Sequence, residues 1–559
     1  MKKKYILLFS LFFFVQTFSQ NKEIELDSIS KLKSLGKVWG FLKYYHPKVS
    51  KGKFDWDKEL ISIIPEVLNS KSKKDLNNTY QKWINSLGKI KHRSVKKSNV
   101  SHFEKNFNLS WIDNSPFFSK ETSLKLREIE RYRNTGSKYY VSQNLNIGNI
   151  HIENEKKYPN IGFPNIEHRI LNLFRYWNII EYFSPNKYLT SKDWDETLQE
   201  MIPRFIKATN PSDYHLLILE LVASTNDGHA AYFTKETNTF FGFYWAPFKY
   251  KVIDNKVVLT SYYNEKLTRS SGLEIGDIIT QIDGEDAFKK LDNRLKYTPG
   301  SNKNYKQNSI YTGLFNGSKK EVSIKFLRNG KLHSTVLKRY KFNELKYTPN
   351  IETKKWKITK NNIGYVDLST IKATDIESLM SDLSNCNGII FDLRKGAKNL
   401  WGGLGKYIKK KRSPFVKLLR PDLSYPGKFY FKEAKNCCYE LPEKKLYKGK
   451  VVLLVNENTY SHGEFTTMAL QSGDKVTTIG NQTAGADGDV SYIPLLNNKT
   501  TSMTGIGVYY PNGLETQKKG VKIDIEVKPT IEGVIKQKDE ILTKAISFLE
   551  KNYIFGNTN

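Results

Sequence analysis

An internal repeat constrains the fold of this chain more than any other feature of its sequence. Compared with itself at an offset of 138 residues, the segment from Leu35 to Pro65 aligns without a gap with the segment from Leu173 to Pro203, and 10 of the 31 positions are identical. In both copies the apolar residues have helical spacing, and an aspartate-rich segment precedes the second helix. We therefore predict a duplicated helical region with the shared tryptophans, Trp39 and Trp177, in its core.

The two copies differ in the segment that comes after each of them. The second continues into "ELVASTNDGHAAYF", which contains His229, whereas the first continues into "SLGKIKHRSVKKS", which has no acid-Gly-His sequence. His92 lies nearby, and without the surrounding pattern we interpret it as a surface histidine. We therefore expect the second copy to have a chemical role that the first lacks, with His229 as the distinguishing residue. The alternative is a structural histidine beside a glycine turn.

From about Phe240 to Phe342 the pattern changes to short β segments. One of them, "EVSIKFLRNGKLHSTVLKRY", has the Asn329-Gly330 pair that is typical of a hairpin turn. Another, "GLEIGDIITQIDGEDA", resembles the PDZ-domain signature, and such domains bind extended C-termini by strand addition. The alternative is an unrelated small β-barrel insert.

From Ile351 onward, apolar strand segments alternate with helical ones, which predicts an α/β core. Within it the run "VVLLV" leads into "NENTYSHGEFTTMAL", so Ser461 and His462 lie at a strand-to-helix turn. Consecutive residues point in different directions, and His462 is therefore poorly placed to deprotonate its own neighbour. If Ser461 is a nucleophile, its base comes from elsewhere in the chain; the alternative for Ser461 is a helix N-cap.

Four local motifs in this order resemble the serine peptidase family that includes the tail-specific (C-terminal processing) proteases, the tricorn core and interphotoreceptor retinoid-binding protein. They are "FDLRKGAKNLWGG", "VNENTYSHGE", "GNQTAGADG" and "GVKIDIEVKPT", the last with Ile523 in place of a proline. The resemblance extends from about Pro185 to the C-terminus and implies that Ser461 is the nucleophile.

The same resemblance distinguishes a mechanism with a lysine base from one with a histidine base. In the tail-specific branch a lysine lies 25 residues after the serine, and this chain has Ala486 there, followed by Asp487. The tricorn-like branch uses a histidine that precedes the PDZ region, and His229 is at the matching point. The resemblance is therefore closer to the tricorn-like branch and implies that His229 is the base for Ser461.

The resemblance also suggests the groups that assist the pair. The backbone N–H of His462 and a second donor from Gly402 or Gly403 are expected to form the oxyanion hole. The serine that precedes the histidine in the tricorn pattern is Gly228 here, and a glutamate near the C-terminal signature is replaced by Gln517. Candidates for orienting His229 are Asp227, Glu515 and Gln517, with a turn-forming role as the alternative for Asp227. We expect Glu464 to support the helix start.

Taken together, these patterns predict an α/β fold: a crotonase-like (spiral ββα) peptidase core with an N-terminal duplicated helical region and an inserted PDZ-like β domain. The predicted boundaries are 1–20 for a signal peptide, 21–150 for the first helical copy and linker, 160–238 for the second copy, 240–345 for the PDZ-like domain and 350–559 for the core.

The N-terminal segment and the composition bear on where the chain acts. "MKKKYILLFSLFFFVQTFSQ" has the basic and apolar segments of a signal peptide and is short for a membrane span. We therefore expect export to the periplasm or beyond and no stable membrane insertion; the alternative is an uncleaved anchor. The net charge is +32, and the 89 Lys and Arg residues are dispersed among 57 Asp and Glu residues. This pattern favours a solvated basic surface over nucleic-acid binding, and the alternative is a weak attraction to acidic glycans or membrane surfaces.

The three cysteines, Cys386, Cys437 and Cys438, have no metal-binding spacing. Since adjacent cysteines rarely bond each other, we interpret all three as structural or incidental. We expect no cofactor and no metal, and the sequence does not indicate the oligomeric state.

The sequence leaves three hypotheses for function. The first is an exported serine peptidase that cleaves polypeptides through an acyl-enzyme and captures substrate tails with the PDZ-like domain. The second is a non-catalytic ligand- or peptide-binding protein on the same scaffold. In the third, the N-terminal half is an interaction module for envelope partners.

Overall fold

The computed structural model describes residues 26–92, 100–309, 313–346, 355–438 and 440–556. The predicted signal peptide, residues 1–20, lies outside the described residues. Among those described, no helix combines the length and the apolar character needed to cross a membrane.

The N-terminal region is mainly helical and contains both copies of the repeat. Its helices are α1 (Ser28–Tyr45), α2 (Trp56–Asn69), α3 (Lys73–Ser86), α4 (Trp111–Asn114), α5 (Lys120–Arg131), α6 (Ile166–Phe183), α7 (Trp194–Lys207), α8 (Pro211–Ser224) and α9 (Lys235–Phe241). Three short strands lie between the copies: β1 (His102–Phe103), β2 (Val141–Gln143) and β3 (Ile150–Ile152). The predicted duplication is confirmed: α1, α2 and α3 recur as α6, α7 and α8, each with both ends displaced by 138 residues.

The repeated helices begin at the same place because the same kind of residue caps them. A polar side chain at each N-cap accepts a hydrogen bond from a backbone N–H group of the first turn. The pairs of equivalent caps are Asp27 and Asn165, Asp55 and Asp193, and Ser72 and Asn210.

In each copy, two buried tryptophans donate hydrogen bonds to each other's backbone carbonyl groups. In the first copy Trp39 Nε1 donates to the carbonyl of Trp56 at 3.0 Å, and Trp56 Nε1 donates back at 3.1 Å. Trp177 and Trp194 do the same in the second copy, at 2.7 and 3.1 Å. The tryptophans therefore satisfy the polar groups of the helix pair while they fill its core, as the sequence predicts.

The two copies pack against each other through equivalent positions. A Cβ atom on Gly40 of α1 would come within 1.7 Å of the side chain of its equivalent, Asn178 of α6, so the glycine permits the close approach of the helices. Two equivalent ion pairs cross the same contact. Lys37 of the first copy binds Asp195 of the second, and Arg175, the equivalent of Lys37, binds Asp57 of the first copy. The exchange gives the helical region approximate twofold symmetry.

The β region after the second copy contains an antiparallel sheet with its own apolar core. Its elements are β4 (Tyr244–Trp245), β5 (Phe248–Ile253), β6 (Lys256–Tyr262), α10 (Glu265–Arg269), β7 (Ile278–Ile282), β8 (Glu285–Asp286), α11 (Ala287–Arg294), α12 (Lys303–Asn308), β9 (Glu321–Arg328), β10 (Lys331–Lys338) and β11 (Tyr340–Lys341). The strand order is β10-β9-β7-β6-β5. The predicted hairpin is confirmed, since Asn329 and Gly330, both with positive φ, join β9 to β10.

The C-terminal region is a layered α/β structure, as predicted. Its elements are β12 (Trp356–Ile358), β13 (Ile363–Asp367), α13 (Ile376–Asp382), β14 (Gly388–Asp392), α14 (Trp401–Ile408), β15 (Ser413–Pro421), β16 (Phe429–Cys437), β17 (Lys450–Val455), α15 (His462–Gln471), β18 (Val476–Gly480), β19 (Val490–Pro494), β20 (Thr500–Thr504), β21 (Gly507–Tyr509), β22 (Ile525–Glu526), α16 (Ile531–Ile535) and α17 (Glu540–Gly556). A sheet of order β12-β13-β14-β17-β18-β22 is parallel from β13 onward. Helix α17 covers one face, and α13, α14 and α15 cover the other. The crotonase-like and PDZ-like assignments and the domain boundaries stay predictions.

The expectation for the adjacent cysteines is wrong, because the structure joins Cys437 and Cys438 in a disulfide. Cys438 has a φ of 80°, outside the regions that most residues adopt, and this backbone conformation accompanies the bond. Cys386 is a buried free cysteine.

Candidate active site

Ser461 lies at the sharp turn between β17 and α15. Its φ of 51° and ψ of −118° are strained values for a residue with a side chain. Ser461 occupies the N-cap position of α15, but its hydroxyl makes no capping hydrogen bond to the helix. The strained turn instead leaves the hydroxyl available to a side chain from elsewhere.

That side chain is His229, which lies after the second helical copy. The Nε2 atom of His229 lies 3.0 Å from the Oγ atom of Ser461, across 232 positions of the sequence. The carbonyl of His229 accepts a hydrogen bond from the hydroxyl of Ser502 at 2.6 Å, which fixes the backbone at this point. The structure therefore brings the two predicted catalytic residues within hydrogen-bond distance.

A threonine and an aspartate hold the other side of the imidazole. His229 Nδ1 lies 2.8 Å from Thr504 Oγ1, and that hydroxyl donates to Asp227 Oδ1 at 2.7 Å. Because the hydroxyl has one proton and gives it to the carboxylate, it accepts from Nδ1–H. The arrangement selects the tautomer with an unprotonated Nε2 facing Ser461. The backbone N–H of Thr504 also donates to Asp227, at 2.5 Å.

Burial and nearby charged groups act in opposite directions on the protonation of His229. Burial lowers the pKa of His229 below its usual value, because the charged imidazolium is poorly solvated there, while the nearby Asp227 carboxylate acts in the opposite direction. Asp227 Oδ1 is 4.0 Å from His229 Nδ1. Burial has the larger effect, so the imidazole is neutral near pH 7 and can accept a proton.

Of the three candidates for orienting His229, the structure brings only Asp227 to the imidazole. Gln517 donates at 3.2 Å to Ser301 Oγ, which accepts from the backbone N–H of Gly228 at 2.8 Å; it thus supports the turn and does not contact the ring. Glu515 lies elsewhere, where Tyr188 donates to its carboxylate at 2.8 Å.

The structure places the predicted oxyanion-hole residues at the starts of two different helices. His462 is the first residue of α15, where backbone N–H groups have no partner within the helix, and its side chain is exposed. Gly402 and Gly403 lie in the first turn of α14. A Cβ atom on Gly463 would be 3.8 Å from both the Ala397 nitrogen and the Gly396 Cα atom. The segment from Gly396 to Ala397 therefore borders the start of α15.

A buried glutamate connects α15 to the loop after β18. Glu464 accepts hydrogen bonds from Thr483 Oγ1 at 2.5 Å, Gly485 N at 2.7 Å and Ala486 N at 2.9 Å. Burial raises the pKa of Glu464 to about 7, and the hydrogen bonds, including one from the backbone of Ser461, oppose that rise. Glu464 thus supports the helix start, as predicted, and also anchors the loop that carries Ala486.

Sequence reasoning missed Thr504 and Ser301, which contact the catalytic turn through their hydroxyl groups. Thr504 ends β20, and nothing in "TTSMTG" distinguishes it from the neighbouring threonines. Within the described ranges, no group of three or more His, Cys, Asp or Glu side chains is arranged to hold a metal ion.

Part of the chain resembles known serine proteases. Residues 362–527 match the model of peptidase family S41. A probable CtpA-like serine protease of Staphylococcus haemolyticus is 25% identical over 278 residues, which cover 49% of this chain and 50% of that protein. The carboxy-terminal processing protease CtpB of Bacillus subtilis is 21% identical over 324 residues, covering 55% of this chain and 61% of that protein. This chain thus spans between half and two thirds of the length of these relatives.

A solved structure, that of mature CPAF complexed with lactacystin, has a TM-score of 0.53 at 13% identity. The match covers 69% of this chain and 98% of the CPAF chain, and at that identity it is evidence for the fold alone. Together, the family model and the two sequence relatives confirm the predicted resemblance to the tail-specific serine peptidase family.

Proposed function

We propose that this chain, a member of that serine peptidase family, cleaves polypeptides through an acyl-enzyme, with Ser461 as nucleophile and His229 as general base. The observation that carries the proposal is the 3.0 Å separation of His229 Nε2 and Ser461 Oγ, with Nδ1 engaged by Thr504. A serine hydroxyl is a weak nucleophile until such a base removes its proton in the transition state.

The reaction follows from these contacts. As Ser461 Oγ attacks the scissile carbonyl, His229 Nε2 takes the hydroxyl proton and then gives it to the leaving amine. The imidazolium formed in between is stabilised by the Asp227 carboxylate, both directly and through Thr504. A water deprotonated by His229 then hydrolyses the ester at Ser461.

The tetrahedral intermediates need fixed N–H donors. The backbone N–H of His462 at the positive end of α15 supplies one. For the second donor, Gly402 and Gly403 remain candidates on the family pattern, and Ala397 joins them because of its position beside Gly463. The His462 side chain takes no part, because the donor is its backbone amide.

The position of Ala486 supports a histidine rather than a lysine base. A Cβ atom added to Gly228 would lie 2.6 Å from the Ala486 Cβ atom, so the turn that carries His229 packs directly on residue 486. The turn thus occupies the space that a longer side chain at this position would need. We assign the chain to the tricorn-like branch on this basis.

The remaining parts of the proposal rest on the sequence motifs. We propose that residues 240–345 are a PDZ-like domain that binds polypeptide tails by strand addition, that residues 350–559 are a crotonase-like core, and that residues 1–20 direct export. The edge position of β5 in its sheet supports strand addition.

Labelling with a fluorophosphonate probe tests the catalytic assignment, because the probe reacts only with an activated serine. We expect labelling of the wild-type chain at Ser461, none in Ser461→Ala and strongly slowed labelling in His229→Ala. The exposed Ser384→Ala is the matched control and should label normally. Absence of labelling in the wild-type chain would favour the alternative, a non-catalytic binding protein on this scaffold.

A further inference from the structure

A cavity of about 290 Å³ lies between the end of the second helical copy and the β region. Its walls include aromatic side chains, among them Phe241, Phe243, Trp245 and Tyr297, and none of its lining residues is charged. In a chain with 26% charged residues, such a lining marks a place suited to apolar groups.

The cavity adjoins the catalytic pair. Gly228, the residue before His229, contributes to its wall, as does Tyr305. The Tyr305 ring stacks on that of Tyr460, which precedes Ser461, and the Tyr460 hydroxyl donates to the Gly228 carbonyl at 3.2 Å. A group in the cavity would therefore lie against residues that neighbour both catalytic side chains in sequence.

The mouth of the cavity exposes large aromatic side chains. Phe233 is 57% exposed and Phe243 is 52% exposed, and both belong to the lining. Clustered exposed apolar side chains mark binding sites on soluble proteins. Such a surface is suited to an apolar group that enters from solvent.

The cavity adjoins a second one of about 450 Å³ that runs along β5, since Trp245, Gly313 and Asn316 line both. Together the two neighbouring cavities reach from Gly228, beside the catalytic histidine, to the backbone of the edge strand β5. This shape favours an extended polypeptide as the occupant.

We propose that the aromatic cavity is a specificity pocket that takes a large apolar or aromatic side chain next to the scissile bond of a polypeptide. This inference rests on the proposed peptidase function and names its substrate class. Burial of such a side chain supplies binding energy that a glycine at the same position lacks.

Cleavage-site mapping provides the first test. Denatured β-casein is digested with the wild-type chain, and the cut bonds are identified by mass spectrometry. We expect Phe, Tyr, Trp, Leu or Met to be enriched at a single position flanking the cut bonds. A peptide based on the best site should be cut roughly tenfold faster or more than the same peptide with glycine there. Cleavage without any such enrichment would overturn the pocket while leaving the peptidase assignment intact.

Two substitutions test whether the cavity determines the preference for an apolar side chain. Ala231→Phe fills the cavity and should reduce the ratio of kcat/KM for the apolar and glycine peptides toward one. Asn238→Asp, at an exposed lining position, should reduce the same ratio by adding a charge. Ala373→Phe, an exposed position outside the lining, is the matched control and should leave the ratio unchanged. An unchanged ratio in both lining variants would contradict the proposal.

A binding measurement separates failure of the pocket from failure of catalysis. In the Ser461→Ala variant, a phenylalanine peptide and its glycine counterpart are titrated by fluorescence anisotropy. We expect the phenylalanine peptide to bind roughly tenfold tighter or more, and Ala231→Phe to abolish the difference. Equal affinities would overturn the pocket even if the wild-type chain labels with fluorophosphonate. If the two peptides bind with clearly different affinities but the wild-type chain is not labelled by fluorophosphonate, the cavity binds apolar side chains and the peptidase assignment is wrong.

Discussion

The two helical copies have the same architecture and differ in the segment after their third helix. After α3 the chain reads Leu87-Gly88-Lys89-Ile90-Lys91, and at the equivalent positions after α8 it reads Thr225-Asn226-Asp227-Gly228-His229. The helix ends, the caps and the tryptophan pairs are shared, yet the second segment alone contains the aspartate and histidine of the candidate site. The duplicated helices therefore supply packing, and the short segment after the second copy supplies the candidate base and its aspartate.

The contrast extends to the interface between the copies. Arg175 and Asp57 form a buried ion pair, whereas the equivalent pair, Lys37 and Asp195, is partly exposed. Each aspartate binds a cation from the other copy, so neither copy completes its own ion pair. The first copy thus contributes to the placement of the second, and through it to the placement of His229.

We expect the largest difference in activity between the copies when their equivalent residues, His229 and Lys91, are each replaced by alanine. His229→Ala should lower kcat/KM by about 10²- to 10⁴-fold, the usual contribution of a general base, while Lys91→Ala should leave it unchanged. The measurement is hydrolysis of a fluorogenic peptide. Ser461→Ala should be as inactive as His229→Ala, and the double variant little worse, since the two act as a unit. Near wild-type turnover in His229→Ala would show that the base lies elsewhere.

The next largest effect concerns the residue before the histidine, which is Gly228 in the second copy and Ile90 in the first. Gly228→Ala should reduce kcat/KM by up to about 10²-fold, because its methyl group would be 2.6 Å from the Ala486 Cβ atom and would displace the turn. Combining it with Ala486→Gly removes the closest of these contacts and should restore most of the activity, since the next atom, Ser301 Oγ, would be 3.2 Å away. Failure of this rescue would mean that the contact with residue 486 does not position the turn. Ala486→Lys should not rescue His229→Ala.

A smaller effect is expected from Thr504, whose hydroxyl connects His229 to Asp227. Thr504→Val removes a hydrogen bond to a charged group and should reduce kcat/KM by about 10- to 100-fold, whereas Thr504→Ser should retain most activity. Thr501→Val is the matched control on the same strand, because the buried Thr501 hydroxyl has no hydrogen-bond partner within the described part of the chain. Equal losses in the two valine variants would indicate a packing role for Thr504.

The smallest effect on activity is expected where the copies are alike. Trp39→Phe and Trp177→Phe each remove one of the exchanged indole hydrogen bonds, and each should lower the free energy of unfolding by about 1–3 kcal/mol. Denaturant titration measures the loss, and kcat should not change in either variant. A loss confined to one copy would show that the repeated tryptophan pairs have diverged in their contribution to stability.

The sequence predicted much of this arrangement because periodic patterns and short motifs carry local information. The gapless repeat identified two of the three repeated helices, and the apolar runs identified the strands β13, β14, β17 and β18 of the parallel sheet. The third pair, α3 and α8, was missed because their sequences share helical capping but few identities. Residue types at matching motif positions were enough to select Ser461 and His229 as candidates.

The surroundings of His229 could not be predicted, since they depend on contacts between distant segments. Thr504 is 275 positions from His229 and has no local signature. Glu515 and Gln517 are two residues apart, and the sequence alone did not indicate that Gln517 reaches the turn through Ser301 while Glu515 pairs with Tyr188. A disulfide between adjacent cysteines depends likewise on an unusual backbone conformation.

The central claim, that the second copy supplies a histidine base to Ser461, is tested most directly by the pH dependence of fluorophosphonate labelling. The base acts when neutral, and burial lowers the pKa of His229, so the protonated, inactive form should appear only below the usual histidine value of ~6.5. The labelling rate should therefore rise through a single ionisation below ~6.5 and be constant from about pH 7.5 to about pH 9. A rise centred above about 8.5, in the range of a lysine base, would contradict the account.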